Sequence, residues 1–490
     1  MREAAADATT EVAAGLRRAL ARHLGTAGEV QGLRRLSGGA TRQTWVFDWV
    51  PDQAGQGEDK GGGNGGNGTG PRTLVLQQQP ASSEPPGRTP KLQAAHEAAL
   101  MAAVRAAGVP APPVCCVLEP GDGLGEGHVT AHVAGETLAR NILREPGLAA
   151  ARQGMARQCG ELLARIHQVP LQGLPFLQRL SAAEELSVYG ALLDQTGVRH
   201  PALDYARRWI AEHLPAPQQA TLVHADFRLG NLIVDTTGVR CVLDWEIARI
   251  GDPMQDLGVL CMRSWRFGGA GEVGGFGDRD ALYAGYEAVC GQRVDPQRVH
   301  FWEAFANFKW AVACVRRGSA QRADGGPASL ELAAIGRRLE EPLWDFLCVP
   351  GVVAGADAGP AAPRPSPFHG EAADGFAAAP RLLQAVAEQL EQGTMPALSG
   401  YQAFQARICA NVVRLVAREL REGPAMAQAE HQRLLALLGL VGGRAALNAE
   451  LGQRIADGAL PLAAPGLVPH LRQSLHEALC INNPKWVATR

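Results

Sequence analysis

Residues 222–256 read LVHADFRLGNLIVDTTGVRCVLDWEIARIGDPMQD, and the rest of the chain is interpreted outward from them. Leu232-Ile233-Val234 is a short apolar run, Asp235-Thr236-Thr237-Gly238 is turn chemistry, and Cys241-Val242-Leu243 is a second apolar run. That pattern predicts a β-hairpin. Asp226 and Asn231 lie in the loop before the first strand, and Asp244 ends the second. Folding back brings Asn231 and Asp244 to one end, with Asp226 beside them. Mg²⁺ keeps several waters and takes one or two protein oxygens plus phosphates, so such a set suits it. The plain alternative is a polar hairpin whose carboxylates face water.

The spacing His224-Ala225-Asp226-x4-Asn231, followed by Leu243-Asp244-Trp245-Glu246 and Gly251-Asp252-Pro253, resembles the aminoglycoside phosphotransferase and choline kinase superfamily. The resemblance implies an α+β, bilobal protein-kinase-like fold, with a small sheet-rich N-lobe and a mostly helical C-lobe. It implies ATP and Mg²⁺ as cofactors. Asp226 would take the proton of a substrate hydroxyl, and Asn231 and Asp244 would hold the metal. His224, Asp252 and Asp256 are expected to brace this segment.

Bulk properties narrow the classes. At 490 residues, two or three domains are expected. A net charge of −2 gives no basic footprint for nucleic acid, and no apolar run has membrane-spanning length. The N-terminus lacks a charged-then-apolar signal pattern. Ten cysteines without a C-x-x-C fit reduced thiols in a cytoplasmic protein.

In chain order, residues 11–24 predict an amphipathic helix with Val12, Leu16, Leu20 and Leu24 on one face. A strand, the turn Ser37-Gly38-Gly39-Ala40 and a second strand with alternating Trp45, Phe47 and Trp49 follow. The two glycines let backbone amides approach a phosphate closely, and Ser37, Gly38 and Gly39 fall where the family's ATP-covering loop belongs. Residues 51–71 are nearly free of apolar side chains and predict a disordered insertion. The family's next strand carries a basic residue near Gln77 that reaches the nucleotide phosphates. Here the sequence is Gln77-Gln78-Gln79. Glu97, on the helix that follows, falls where the family has that base's acidic partner. Arg88, Lys91 or another base substitutes, or the site is impaired. Residues 1–133 make the nucleotide-binding lobe, and 134–348 the catalytic lobe.

Within the second lobe, Arg263-Ser-Trp265-Arg266-Phe267-Gly268 could line a pocket for an anionic or coenzyme-like acceptor, and 268–277 could be a lid. The aromatics of 300–317 read as core. Residues 349–378, rich in Ala, Gly and Pro, form a linker. Residues 379–490 predict a helical bundle, with Phe404, Ile408, Val412, Val416 and Leu420 in one stripe. Asn482-Asn483-Pro484-Lys485-Trp486 could dock against the kinase-like part or simply cap a helix.

Two functions follow. One is an ATP- and Mg-dependent phosphotransferase acting on the hydroxyl of a small molecule. Here residues 222–235 and 265–268 resemble the kinase-like parts fused to some acyl-CoA dehydrogenases, which implies a hydroxyacyl-CoA-like metabolite. The other is a catalytically impaired, kinase-like nucleotide- or metabolite-binding protein acting through its bundle. The expected partner is a small-molecule substrate, with neither nucleic acid nor membrane; oligomeric state is not legible.

Overall fold

Alternation in the N-terminal strands sets the first layer. In the computed structural model, which describes residues 2–36, 42–52, 71–79, 91–322, 325–353 and 378–488, α1 is Arg2–Leu24, followed by β1 (Gly28–Arg35), β2 (Gln43–Pro51) and β3 (Arg72–Gln79). Next come α2 (Ala94–Ala106), β4 (Val114–Val117) and β5 (Glu126–Ala131). The five strands form an antiparallel sheet in the order β1-β2-β3-β5-β4. Trp45, Phe47 and Trp49 on β2 and Leu74 and Leu76 on β3 bury one face of it against Val12, Leu16 and Leu20 of α1. Side chains alternate along a strand, so Thr44, Gln77 and His128, which stand opposite one another, take the other face. Helix α2 packs there, against β4 and β5.

The chain continues through α3 (Ala139–Arg144), α4 (Ala149–His167), α5 (Ala182–Asp194) and α6 (Pro201–Glu212). Then come β6 (Thr221–Val223), β7 (Leu232–Asp235), β8 (Gly238–Val242), β9 (Arg249–Gly251), α7 (Met254–Cys261) and α8 (Arg279–Cys290). β7 and β8 are the hairpin expected from the sequence, and β6 pairs with β9. The hairpin turn is held by Asp235, whose Oδ1 accepts from the Thr237 backbone at 2.7 Å, an Asx turn. α4 and α8 touch backbone to backbone because both carry glycine at the crossing: a Cβ on Gly160 would stand 2.1 Å from Leu282 O, and one on Gly285 2.0 Å from Arg157 O.

The remaining helices are α9 (Pro296–Gly318), α10 (Leu330–Gly336), α11 (Glu340–Phe346), α12 (Ala379–Glu388), α13 (Gly400–Leu438), α14 (Arg444–Ala456), α15 (Leu467–Asn482) and α16 (Pro484–Ala488). The chain divides into two compact units. One comprises Met1–Arg179, Gln219–Asp256 and Trp265–Arg293; the other comprises Leu180–Gln218, Leu257–Ser264 and Val294–Arg490. The second is helical. Phe301, Trp302, Phe305 and Phe308 of α9 are buried, as the sequence predicts for core aromatics. Two of them face a buried ion pair, Lys309 Nζ to Glu185 Oε2 at 3.0 Å, the ammonium lying 5.6 Å from the Trp302 ring and 5.2 Å from the Phe305 ring. In this unit the C-terminal segment docks: Asn482 donates to Glu340, Asn483 to Glu341 and Trp486 Nε1 to Asp345. It is therefore more than a cap.

Among the described residues no helix is long and apolar enough to cross a membrane, and all ten cysteines are free. Ser37, Gly38, Gly39, Arg88 and most of the expected insertion and linker (53–70 and 354–377) lie outside the described residues.

Candidate active site

The loop after β6 is hung from one buried carboxylate. Asp256, at the start of α7, is fully buried. Its oxygens accept the backbone N–H of His224 at 2.8 Å and of Ala225 at 2.7 Å. His167, at the end of α4, donates Nε2–H to the same carboxylate at 3.1 Å, and its Nδ1 meets the Tyr286 hydroxyl at 2.9 Å. Burial pushes the Asp256 carboxyl up, but the His167 hydrogen bond and the neighbouring His167 and His224 hold it below the ordinary value. These bonds fix Ala225 in the left-handed region at φ 67°, a conformation that costs free energy in any residue with a Cβ. The expected bracing role of Asp256 has this geometry. His167→Phe would leave the Tyr286 hydroxyl and part of Asp256 unpaired. We expect it to lower unfolding free energy by about 1–3 kcal/mol, measured by urea denaturation; an unchanged midpoint would remove His167 from the brace.

His224 has both ring nitrogens engaged, Nε2 donating to Leu243 O at 2.9 Å and Nδ1 accepting the Asp226 backbone N–H at 3.2 Å. Burial holds its pKa below the usual imidazole value. It joins loop to hairpin as a neutral strut and has no nitrogen left for proton transfer.

Asp226, Asn231 and Asp244 come together. Asn231 Nδ2 donates to Asp226 Oδ2 at 2.7 Å and to Asp226 O at 3.0 Å. The Leu243 N–H donates to Asn231 O at 2.8 Å, which sets Asp244 one residue from that bond. Asp244 has φ 64°. Burial, with the charges of Glu246, Asp226 and Glu97, pushes its carboxyl up to about 7, against the opposing charge of Arg228. Arg228 Nε is 2.9 Å from Asp226 Oδ1. Both Asp226 oxygens thus accept one bond each, and each retains a lone-pair direction.

Glu97 is buried and paired. Arg42, immediately before β2, bonds Glu97 Oε2 through Nη1 at 2.5 Å and lies 3.3 Å from Glu246 Oε2 through Nε. Lys91 Nζ is 2.6 Å from the other Glu246 oxygen. Of the alternatives the sequence leaves open at Glu97, the structure has another base: the cation on Glu97 is Arg42, from the residue before the neighbouring strand, while Lys91 pairs with Glu246. Arg42 had no signal in the sequence beyond lying two residues after the glycine turn. Gln77 faces the same side of the sheet, with no hydrogen bond from its side chain among the described residues.

On the other side of Asp226, the Arg228 guanidinium lies 4.6 Å from the centre of the Trp265 ring, and Phe267 stands 6.4 Å from Trp265. Arg263 does not join them. It stacks on Trp486 at 4.6 Å, so the expected cationic-aromatic cluster is divided. The glycine-rich stretch 268–277 differs from the expected mobile lid. Val273 is fully buried, and bridges Gly271 to Gly275 and Val273 to Gly277 pin the stretch upon itself.

Set beside known proteins, residues 16–291 match the phosphotransferase enzyme family APH. That is more than half of the chain, and the chain belongs to this family. Residues 396–486 match a domain of unknown function, DUF6285. Mouse acyl-CoA dehydrogenase family member 10 is 29% identical over 313 residues, which are 56% of this chain and 27% of that protein. Human acyl-CoA dehydrogenase family member 11 is 28% identical over 196 residues, 38% of this chain and 24% of that one. The chain thus spans about a quarter of the length of these relatives. A crystal structure from Ralstonia eutropha, of a protein assigned to the aminoglycoside phosphotransferases, has the same fold: TM-score 0.50 at 21% identity, covering 68% of this chain and 97% of that one. The fold is protein-kinase-like, as the sequence implies, and the family supports small-molecule phosphotransfer.

Proposed function

We propose that this chain transfers the γ-phosphoryl group of ATP to a hydroxyl of a small molecule, with Mg²⁺ held by Asn231 and Asp244. The observation that carries the reading is the cluster itself. Asn231 is oriented by Asp226, and Asp244 has its pKa raised to about 7 by burial first and then by the carboxylates crowded around it. The donor set fits the metal. With its Nδ2 turned to Asp226, Asn231 has its amide oxygen available as a hard ligand, and Asp244 adds a carboxylate whose negative surroundings favour a divalent cation. Bound Mg²⁺ supplies charge neutralisation at the phosphate oxygens.

The side chains do the rest. Asp226 accepts the acceptor's hydroxyl proton as the oxygen–phosphorus bond forms and the bond from the γ-phosphorus to ADP breaks; the proton then passes to solvent. Asn231 and Arg228 fix the rotamer of Asp226. Arg228 also brings positive charge beside the carboxylates, where phosphoryl transfer needs positioning and electrostatic compensation more than covalent chemistry. Ser37, Gly38 and Gly39 would cover the phosphates.

For the acceptor, the Arg228–Trp265–Phe267 wall suits a planar, anionic group, and the relatives named acyl-CoA dehydrogenases support a hydroxyacyl-CoA-like metabolite. Free thiols throughout suit a reducing cytoplasm. The alternative, a binding protein without transfer, drew on the neutral residue at position 77. The Arg42–Glu97 pair takes away most of that support. The test is ADP release from Mg²⁺ and ATP over a panel of hydroxyacyl-CoA thioesters, free hydroxy acids and amino sugars, with mass spectrometry for a gained phosphoryl group. We expect a thioester to be phosphorylated. ATP binding without transfer to any acceptor would favour the alternative.

A further inference from the structure

We infer that Arg42 is the residue that carries positive charge to the nucleotide phosphates, taking over from the β3 base that is absent at Gln77. This rests on the phosphotransferase reading above and names the residue on which its nucleotide affinity depends. Position comes first. β2 and β3 are registered with Thr44 opposite Gln77. Alternation therefore carries Arg42, two residues before Thr44, to the face where Gln77 lies and where α2 packs. A side chain leaving the neighbouring strand reaches the space that a β3 base would occupy.

Orientation comes second. The guanidinium is a planar fork with donors in fixed directions. Glu97 accepts a hydrogen bond from Nη1, and Glu246 Oε2 stands 3.3 Å from Nε as a charge contact without a hydrogen bond, so the guanidinium is held along one edge. Nη2 has no protein partner among the described residues, and the Arg42 side chain is 15% exposed while Glu97 is 1% exposed. Glu97 serves as a buried anchor, and the free edge of the fork is available to a ligand. The direction is right as well: Glu246 is two residues from Asp244, and Lys91 neutralises the Glu246 oxygen that Arg42 leaves.

A third observation is independent. His128, opposite Gln77 on β5, is 1% exposed, and neither ring nitrogen has a partner among the described residues. Buried polar groups ordinarily have partners, so this row of the sheet carries hydrogen-bonding capacity that no described residue fills.

The experiment is equilibrium titration with a fluorescent N-methylanthraniloyl ATP analogue and Mg²⁺, adenosine competition, and thermal unfolding as the folding control. Variants are Arg42→Gln, Arg42→Gln/Glu97→Gln, Gln77→Lys and Arg42→Gln/Gln77→Lys. The second removes both members of the pair and so leaves no lone buried carboxylate, which protects against loss of the fold. We expect Arg42→Gln, or the Arg42→Gln/Glu97→Gln double should the single unfold, to weaken the ATP analogue by about 10–100-fold with adenosine unchanged. Arg42→Gln/Gln77→Lys should recover at least about tenfold of that loss, and Gln77→Lys alone should gain about threefold or less. A folded Arg42 variant that binds the analogue like wild type overturns the inference while the phosphotransferase reading stands. Wild type that binds no nucleotide removes both.

Discussion

Asp226→Asn retains nucleotide binding and loses phosphoryl transfer by about 10²–10⁴-fold, the range expected for removal of a positioned general base. The geometry explains why the loss should fall on the chemical step. Asp226 lies on the loop suspended from Asp256, and its oxygens are already turned by Arg228 Nε at 2.9 Å and Asn231 Nδ2 at 2.7 Å. Both neighbours are donors. An amide at position 226 can accept from only one of them and must point its own N–H groups at the other. Asp226→Asn therefore removes the proton acceptor and also loosens one of the two bonds that orient it. Asp226→Ala separates the contributions, because it removes the acceptor without adding a donor. Single-turnover ADP formation with a hydroxyl acceptor that the unaltered chain phosphorylates is the readout, beside nucleotide affinity. Turnover unchanged in Asp226→Ala would end its assignment as the base.

The parts of this site that could be read in advance are those written locally. The hairpin needed only two apolar runs and an Asp-Thr-Thr-Gly turn, and Asn231 and Asp244 converge because one hairpin fixes both. Trp45, Phe47 and Trp49 revealed the buried face of β2 through strict alternation. Long-range ion pairs leave no such periodicity. Arg42 and Glu97 are 55 positions apart, and an arginine after a glycine turn looks like any surface arginine. Arg263 and Trp486 are 223 apart, so the sequence assigns Arg263 to its nearest aromatic neighbours instead. Long helices also mislead. The stripe expected on 401–420 is half wrong: Phe404, Val416 and Leu420 are 44%, 37% and 49% exposed, whereas Ala410, Leu415 and Ala417 are buried. α13 runs for 39 residues. The stripe steps by four residues, and a helix of 3.6 residues per turn carries such a row gradually around its axis.

Asp244→Asn should cost about 10³-fold in turnover, since the charge compensation supplied by a metal at transferring phosphate is worth several kcal/mol, and it should also abolish a pH-dependent response to Mg²⁺. The sign follows from the carboxylate. Its pKa is raised from the ordinary 3.8 to about 7, first by burial and then by Glu246, Asp226 and Glu97. Between those values the folded chain holds a proton that the unfolded chain has released. Without metal, this group's contribution to stability therefore falls as pH rises from about 4 to about 7, by about 1.4 kcal/mol per pH unit at most, and levels off above that window. A divalent cation competes with the same proton. Mg²⁺ should accordingly raise the melting temperature more at pH 8 than at pH 5.5, and the difference should vanish in Asp244→Asn, whose amide neither titrates nor attracts the ion. An Mg²⁺-induced shift of equal size at both pH values, or one retained in the variant, would mean that the ion binds elsewhere.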